Sequence, residues 1–479
     1  MSENKIEKGY YLNPILPTEA ADPSILRDGD DYYMTHSSMA VSPGLLIWHS
    51  RDLVNWTPIV RALKEWLGDV WAPDLIKHKD LFYIYFPAGG KNYVITAKSP
   101  RGPWSDAKFL EGSEGLIDPG HICDVETGKR YLYFNGGILV ELSENGLATV
   151  GEHQKLYDSW PFPQEWAYEG LALEGPKLMY KDGWYYFTNA DGGTAGPATS
   201  HMVISARSKS PKGPWENSPF NPIVHTYSRD EKWASKGHGT IFEAKDLSWW
   251  IVFHAYQKNS YPHGRQTLLL PIEWTKDGWF KLPKGCNDEM PIKMPVGEAV
   301  EWHDLSDSFS SDKLAVHWGF WGRPGVYAAT IDGLVLTAQG KILTEANILS
   351  ATPFDISYEV EVQAVIEGDA TAALALFYDV NNSCGIFADS EHYGVCTGPH
   401  KHGFGTNTFK TVWLKILNDK YTITKYISHD GMNFKKLPTG SEISGWHHNS
   451  FGSFYSVKFG LFACGDGTVI FKNFKYTAK

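Results

Sequence analysis

The sequence predicts an all-β protein, a five-bladed β-propeller followed by a β-sandwich. Three observations carry that expectation. An aromatic strand signal recurs at intervals of about 50 to 65 residues through the first 290 positions. Short strands are separated by closely spaced turn residues. Beyond Asp307 the strands alternate polar and apolar residues and the aromatic signal is gone.

The recurring signal reads Asp31-Tyr32-Tyr33-Met34, Leu81-Phe82-Tyr83-Ile84-Tyr85, Arg130-Tyr131-Leu132-Tyr133-Phe134, Gly183-Trp184-Tyr185-Tyr186-Phe187 and Ser248-Trp249-Trp250-Ile251-Val252-Phe253. Each is followed by a second strand, as in Leu45–Ser50, Tyr93–Ala97, Ile138–Leu142, Met202–Ala206 and Gln266–Pro271. Three of these run into a turn that ends in Trp: Ser50 to Trp56, Ser99-Pro100-Arg101-Gly102-Pro103-Trp104 and Ser210-Pro211-Lys212-Gly213-Pro214-Trp215. Five such repeats describe four-stranded blades, with a propeller over residues 1–290. Pro291 and Pro295 mark residues 291–306 as a linker. Residues 307–479 alternate at period two, as in Ile356–Val362, Ala373–Tyr378, Thr411–Ile416, Tyr421–Tyr426 and Val457–Phe462, which is the pattern of a sandwich.

Composition narrows the function classes. Forty-four Lys and Arg against 55 Asp and Glu give a net charge of −11, which repels phosphate backbones and makes nucleic acid an unexpected partner. No run of 18 apolar residues exists, so no membrane span is expected. Five cysteines without a CxxC spacing argue against a disulfide framework or a zinc site. The first residues carry no apolar leader, and a cytoplasmic protein is expected, or a secreted one whose signal is absent from this chain.

Three acidic motifs lie far apart: Ala21-Asp22-Pro23-Ser24, Ile117-Asp118-Pro119-Gly120 and Leu173-Glu174-Gly175-Pro176. A propeller brings the blade ends to one funnel, so carboxylates from three blades can converge. A base that stays ionised, an acid that keeps its proton and a third carboxylate that raises the acid's pKa suit hydrolysis of a glycosidic bond. Glu169-Gly170 competes with Glu174 but lacks the following Pro.

With Trp71-Ala72-Pro73-Asp74, these motifs in this order resemble glycoside hydrolase family 43, of the β-xylosidase and α-L-arabinofuranosidase type. The resemblance implies Asp22 as general base, Asp118 as pKa modulator and orienter, and Glu174 as general acid. It implies an oligosaccharide substrate, an exo-acting inverting reaction and release of a terminal pentose from plant cell-wall oligosaccharides. It further implies that Arg265 reaches substrate hydroxyls, that His36 lines the glycone pocket with Trp71 and Tyr33 as stacking walls, and that His238 in Gly237-His238-Gly239 lies at the funnel floor. No cofactor is required for the chemistry. A structural calcium near His238 is expected to act through waters, because calcium takes oxygen ligands. Asp307 to Leu314 with Trp318 and Trp321 resembles the opening of a concanavalin-like sandwich. An endo-arabinanase, a β-D-galactofuranosidase and a non-catalytic sugar-binding propeller are the alternatives. A retaining fructosidase would need Asn-Asp-Pro-Asn-Gly and Glu-Cys where this chain has Ala-Asp-Pro-Ser and Glu-Gly-Pro.

Overall fold

Five antiparallel meanders form the first unit of the computed structural model, which describes residues 7–170 and 172–479. The first six residues of the expected propeller span lie outside those described. From the axis outward, the blades begin with Ser24–Asp28, Asp74–His78, Gly120–Cys123, Glu174–Lys181 and Trp233–Glu243. Each inner strand touches the next, and the fifth returns to the first, so the blades close into a ring. The aromatic strands are the second of each blade: Asp31–Thr35, Leu81–Ala88, Arg130–Phe134, Trp184–Asp191 and Trp249–Gln257.

Burial on both faces explains their composition. In the second blade Phe82, Ile84 and Phe86 pack with Tyr33, Leu45 and Ile47 of the first, while Tyr83 and Tyr85 pack with Leu132 and Phe134 of the third. A strand pressed between two neighbours reads as a continuous apolar run. Trp56 and Trp104 of the closing turns are buried for the same reason and donate their indole N–H to the turn carbonyls of Leu53 and Pro100, while Trp215 is half-buried and donates to the Tyr133 hydroxyl.

The ring is joined by its two ends. Leu16 bridges Thr267, Ala20 N–H donates to Arg265 O, and Tyr11 and Asn13 both bond Leu269 O. The pair Tyr10–Tyr11 with Ile292–Lys293 adds a two-stranded sheet, so part of the stretch read as a linker is a strand of this unit. The first unit runs to Trp302, and the second comprises His303–Lys479 with two short segments, Ala40–Pro43 and Asn259–Gly264.

Within the second unit two expected strands prove to be one. Tyr358–Phe377 is a single strand of 20 residues paired along its length with Lys458–Ala478. Its first half alternates buried and half-buried residues, its second half is buried throughout, and the exposed Glu367, Gly368 and Asp369 divide the two. Phe377, Phe387, Phe462 and Ile348 fill a core in this β-sandwich. The segment Trp446-His447-His448-Asn449 leads into the short helix His448–Phe451, with His447 as its N-cap.

Candidate active site

Asp22, Asp118 and Glu174 stand at the starts of three inner strands, and all three face one imidazole. His238 Nδ1 lies 3.4 Å from Asp22 Oδ1, while Nε2 lies 3.8 Å from Asp118 Oδ2 and 3.6 Å from Glu174 Oε1. These are ion-pair contacts rather than aligned hydrogen bonds, since Nδ1 has no hydrogen-bond partner. Asp22, Asp118 and His238 are buried, and the Glu174 side chain keeps 21% of its exposure.

The backbone holds this cluster in an uncommon shape. Asp22, Asp118 and His238 have φ of 61°, 59° and 51°, in the left-handed region. Such residues cost of order 1–3 kcal/mol each and persist where the surroundings over-determine them. Asp tolerates that region better than most residues. Gly175 (φ 59°) is required for contact as well as conformation: a Cβ there would lie 2.8 Å from His238 Nδ1. Its N–H donates to Asp118 Oδ2 at 3.0 Å, tying the residue after Glu174 to the neighbouring blade.

Charge follows from the geometry. Burial alone would raise the Asp22 carboxyl, but Arg265 and His238, with His254 behind them, hold it well below the usual carboxylate range. Arg265 Nη1 donates to Asp22 Oδ1 at 3.1 Å, and its backbone N–H donates to Glu19 at 2.9 Å. Burial pushes Asp118 up to about 7; His238 opposes the rise, and Glu174 and Asp22 reinforce it. Burial would lower His238, yet Asp22, Glu174 and Asp118 raise it to about 9, so it is a cation at neutral pH. Two further imidazoles stack with it: His254 at 5.1 Å and His201 at 5.4 Å from His254. Burial keeps both neutral, His254 down to about 3. His254 Nδ1 accepts the Asp22 N–H at 3.1 Å and so props the strained aspartate.

Other expected site residues are distributed differently. His36 is buried behind Asp22, locked by Ser37 O and by the Trp48 indole N–H, while Ser37 Oγ donates to Asp22 Oδ2 at 2.5 Å. Trp71 keeps 42% of its exposure and stands three residues ahead of the inner strand at Asp74. Tyr33 is a correction: it pairs with Leu26 midway along its blade and belongs to the core between the first two blades, where burial, and after it the Asp31 charge, raise its hydroxyl. Glu169 is exposed and lies against Gly193 and Gly196. His201, His254, Glu19 and Lys177 were missed. Lys177 pairs with Asp74 at 3.0 Å, and Asp74 also accepts the His121 N–H and the Ser24 hydroxyl.

Among the described residues, the donors close enough together to hold an ion are Glu174, His201 and His238, within 4.8 Å of one another. One carboxylate and two imidazoles, one of them cationic, do not fit directly bound calcium, which takes six to eight oxygens.

A family model, Glycosyl hydrolases family 43, matches residues 11–280, more than half of the chain and all five blades. The chain belongs to glycosyl hydrolase family 43. Among its relatives, a non-reducing end alpha-L-arabinofuranosidase of Bacteroides ovatus is 31% identical over 68% of this chain and 63% of its own length. A xylan 1,3-beta-xylosidase of a Vibrio species is 32% identical over 64% of this chain and 63% of its own. The match therefore spans less than two thirds of these curated relatives. Among solved structures, a family 43 protein of Bacillus licheniformis superposes with a TM-score of 0.87 at 27% identity, covering 98% of this chain and 100% of that one. A xylan beta-1,4-xylosidase of Bacillus halodurans gives 0.84 at 25% identity, covering 97% and 99%. In this family 43 chain no helix among the described residues is long and apolar enough to cross a membrane.

Proposed function

We propose that this chain is an exo-acting glycosidase that releases a terminal pentose, β-D-xylose or α-L-arabinofuranose, by single displacement with inversion. The observation that carries the reading is three carboxylates from three blades gathered on one imidazolium. Asp22 is the base. Arg265 and His238 keep it ionised, and it takes a proton from the attacking water. Glu174 is the acid and gives its proton to the departing oxygen. Asp118 orients Glu174 through the Gly175 N–H, whose hydrogen bond it accepts at 3.0 Å. The contacts of 3.4 and 3.6 Å across one imidazole keep the Asp22 and Glu174 oxygens within about 9 Å, and carboxyls roughly 6.5–9.5 Å apart leave room for a water. His238 offsets the combined charge without taking part in proton transfer.

The reacting groups are side chains alone, so no cofactor enters the chemistry. The partner is an oligosaccharide, and the names of the relatives favour xylose or arabinose as the released sugar. The test is hydrolysis of methyl and nitrophenyl β-D-xylopyranosides, α-L-arabinofuranosides and β-D-galactofuranosides, with the first-formed anomer followed by proton NMR. Release of the inverted anomer of one pentose is expected. A retained anomer, a preference for internal bonds of arabinan, or no hydrolysis of any glycoside overturns the reading.

A further inference from the structure

A ridge of aromatic rings flanks Glu174 and is unused by the mechanism above. It begins in the segment Ser159-Trp160-Pro161-Phe162-Pro163-Gln164-Glu165-Trp166-Ala167-Tyr168-Glu169, just ahead of Glu174. Tyr168 meets Phe162 edge-on at 4.3 Å, Phe162 meets Trp160 at 6.4 Å, and Trp160 meets Trp166 at 6.3 Å. Trp166 then stacks on His225 at 4.5 Å with an angle of 6°, and Tyr227 stands edge-on to His225 at 4.7 Å. Trp160 and Trp166 rest on the core between the third and fourth blades, while Tyr168 keeps 39% and Tyr227 67% of their exposure at the two ends of the ridge. The Trp166–His225 stack anchors the middle of the ridge, because His225 bonds Thr199 O at 2.8 Å.

The ridge is fixed to the rim beside the catalytic acid. Glu169 N–H donates to Ser200 Oγ at 2.7 Å and to Gly192 O at 3.2 Å, and Ser159 bonds Asp191. A Cβ on Gly193 would overlap the Glu169 carboxylate at 2.3 Å, so this loop is shaped around that side chain. In the same loop Thr194 Oγ1 lies 3.5 Å from His201, in the imidazole stack that includes His238. Burial raises both the Glu169 and Asp191 carboxyls, hydrogen bonds from neighbouring groups oppose the rise, and the Glu174 charge adds to it.

The chemistry of the neighbours names an occupant. An acid that protonates the departing oxygen faces the leaving group, so the sugars beyond the cleaved bond pass over whatever lies beside Glu174. Rings offer faces to sugar C–H groups, and carboxylates accept hydrogen bonds from hydroxyls while repelling an acidic chain. We propose that the ridge from Tyr168 to Tyr227, with Glu169, is the leaving-group platform, binding the neutral oligosaccharide on the departing side of the cleaved bond. The proposal rests on the glycosidase reading above, with Glu174 as acid.

The test uses the full chain and two matched substrate pairs: β-1,4-xylotriose with methyl β-D-xyloside, and α-1,5-arabinotriose with methyl α-L-arabinofuranoside. A methyl leaving group is too small to reach the ridge. Tyr168→Ala and Tyr227→Ala are each expected to lower the trisaccharide-to-methyl ratio of kcat/KM by about tenfold, the scale of a lost apolar contact at a specificity site. The change should fall mainly on KM, and Tyr168→Phe should restore the ratio because it keeps the ring. Both positions are exposed, so folding is checked simply by an unchanged circular dichroism melt. An unchanged ratio in both alanine variants, or an equal loss on both members of a pair, overturns the platform while leaving the glycosidase reading standing. A wild-type chain that cleaves neither member of either pair overturns both.

Discussion

Replacing Glu174, the proposed acid, with Gln removes the transferable proton and the charge while keeping the size and shape of the side chain. Gln has nearly the same shape, and the position is part exposed, so the fold should lose about 1 kcal/mol or less. The proton is lost outright. A positioned general acid contributes about 10²- to 10⁴-fold, so kcat/KM on a methyl glycoside should fall by that factor. A nitrophenyl leaving group departs with little protonation and should lose less than about tenfold. The charge has a second consequence. Glu174 is among the groups that raise Asp118 to about 7 and His238 to about 9, so its removal lowers both. The pH profile of the remaining nitrophenyl activity should therefore move toward acid. The assay is kcat/KM for the methyl and nitrophenyl glycosides of the same sugar across pH 4 to 10. Equal losses on the two substrates would show that Glu174 is not the acid and would refute the reasoning.

Three further outcomes follow from the same contacts. Asp22→Asn should reduce kcat/KM at least about 10³-fold on methyl and nitrophenyl substrates alike, because no base remains for the water; a variant that still favours the nitrophenyl substrate would contradict the role. It should also cost about 3 kcal/mol in urea unfolding, since Arg265 at 3.1 Å loses a buried partner. Gly175→Ala should reduce kcat by about 100-fold on both substrates, because the new Cβ displaces His238; wild-type kcat in this variant would mean that the imidazole's place is immaterial. Between pH 6.5 and 9 stability should decline with rising pH. His238 is raised in the folded state to about 9 from 6.5, so its contribution is full below pH 6.5 and lost as pH climbs through 9. Asp118, raised to about 7, acts in the same direction at lower pH, while Asp22, depressed, contributes above its ordinary range and loses that contribution on acidification. The urea midpoint should thus fall between pH 6.5 and 9 by the equivalent of about 2–3 kcal/mol, and His238→Gln should flatten that slope. A flat wild-type curve would mean that His238 is not a buried cation.

The aromatic strands were legible because burial on two faces demands continuous apolar side chains, as in Phe82–Phe86 and Tyr185–Phe187. The innermost strands were not. Ser24-Ile25-Leu26-Arg27-Asp28 and Gly120-His121-Ile122-Cys123 mix polar and apolar residues because their side chains line an axis rather than a core. The three acids could be found because turn residues beside them, Pro23, Pro119 and Gly175, mark strand starts. His254 gave no such signal. It lies inside the buried aromatic strand of the fifth blade, where nothing in the sequence marks it as the acceptor of the Asp22 N–H. Tyr33 failed for the converse reason: its aromatic neighbours gave no clue to which face of the strand it would occupy. In the second unit, the alternation at Ile356–Val362 and at Ala373–Tyr378 gave two strands, because the polar Glu367-Gly368-Asp369 between them interrupts the pattern. Pairing with Asp466 and Gly467 carries the strand through them.

The toroid has a seam, and the seam runs through Asp22, the proposed base. Asp22 belongs to the first blade, yet its counter-charge Arg265 and its prop His254 come from the last, more than 230 positions later. A nascent or partly opened ring therefore holds an aspartate with neither its arginine nor its backbone support. Sealing the circle and arming the enzyme are one event, and any loosening where Leu16 meets Thr267 should silence turnover well before the blades themselves come apart.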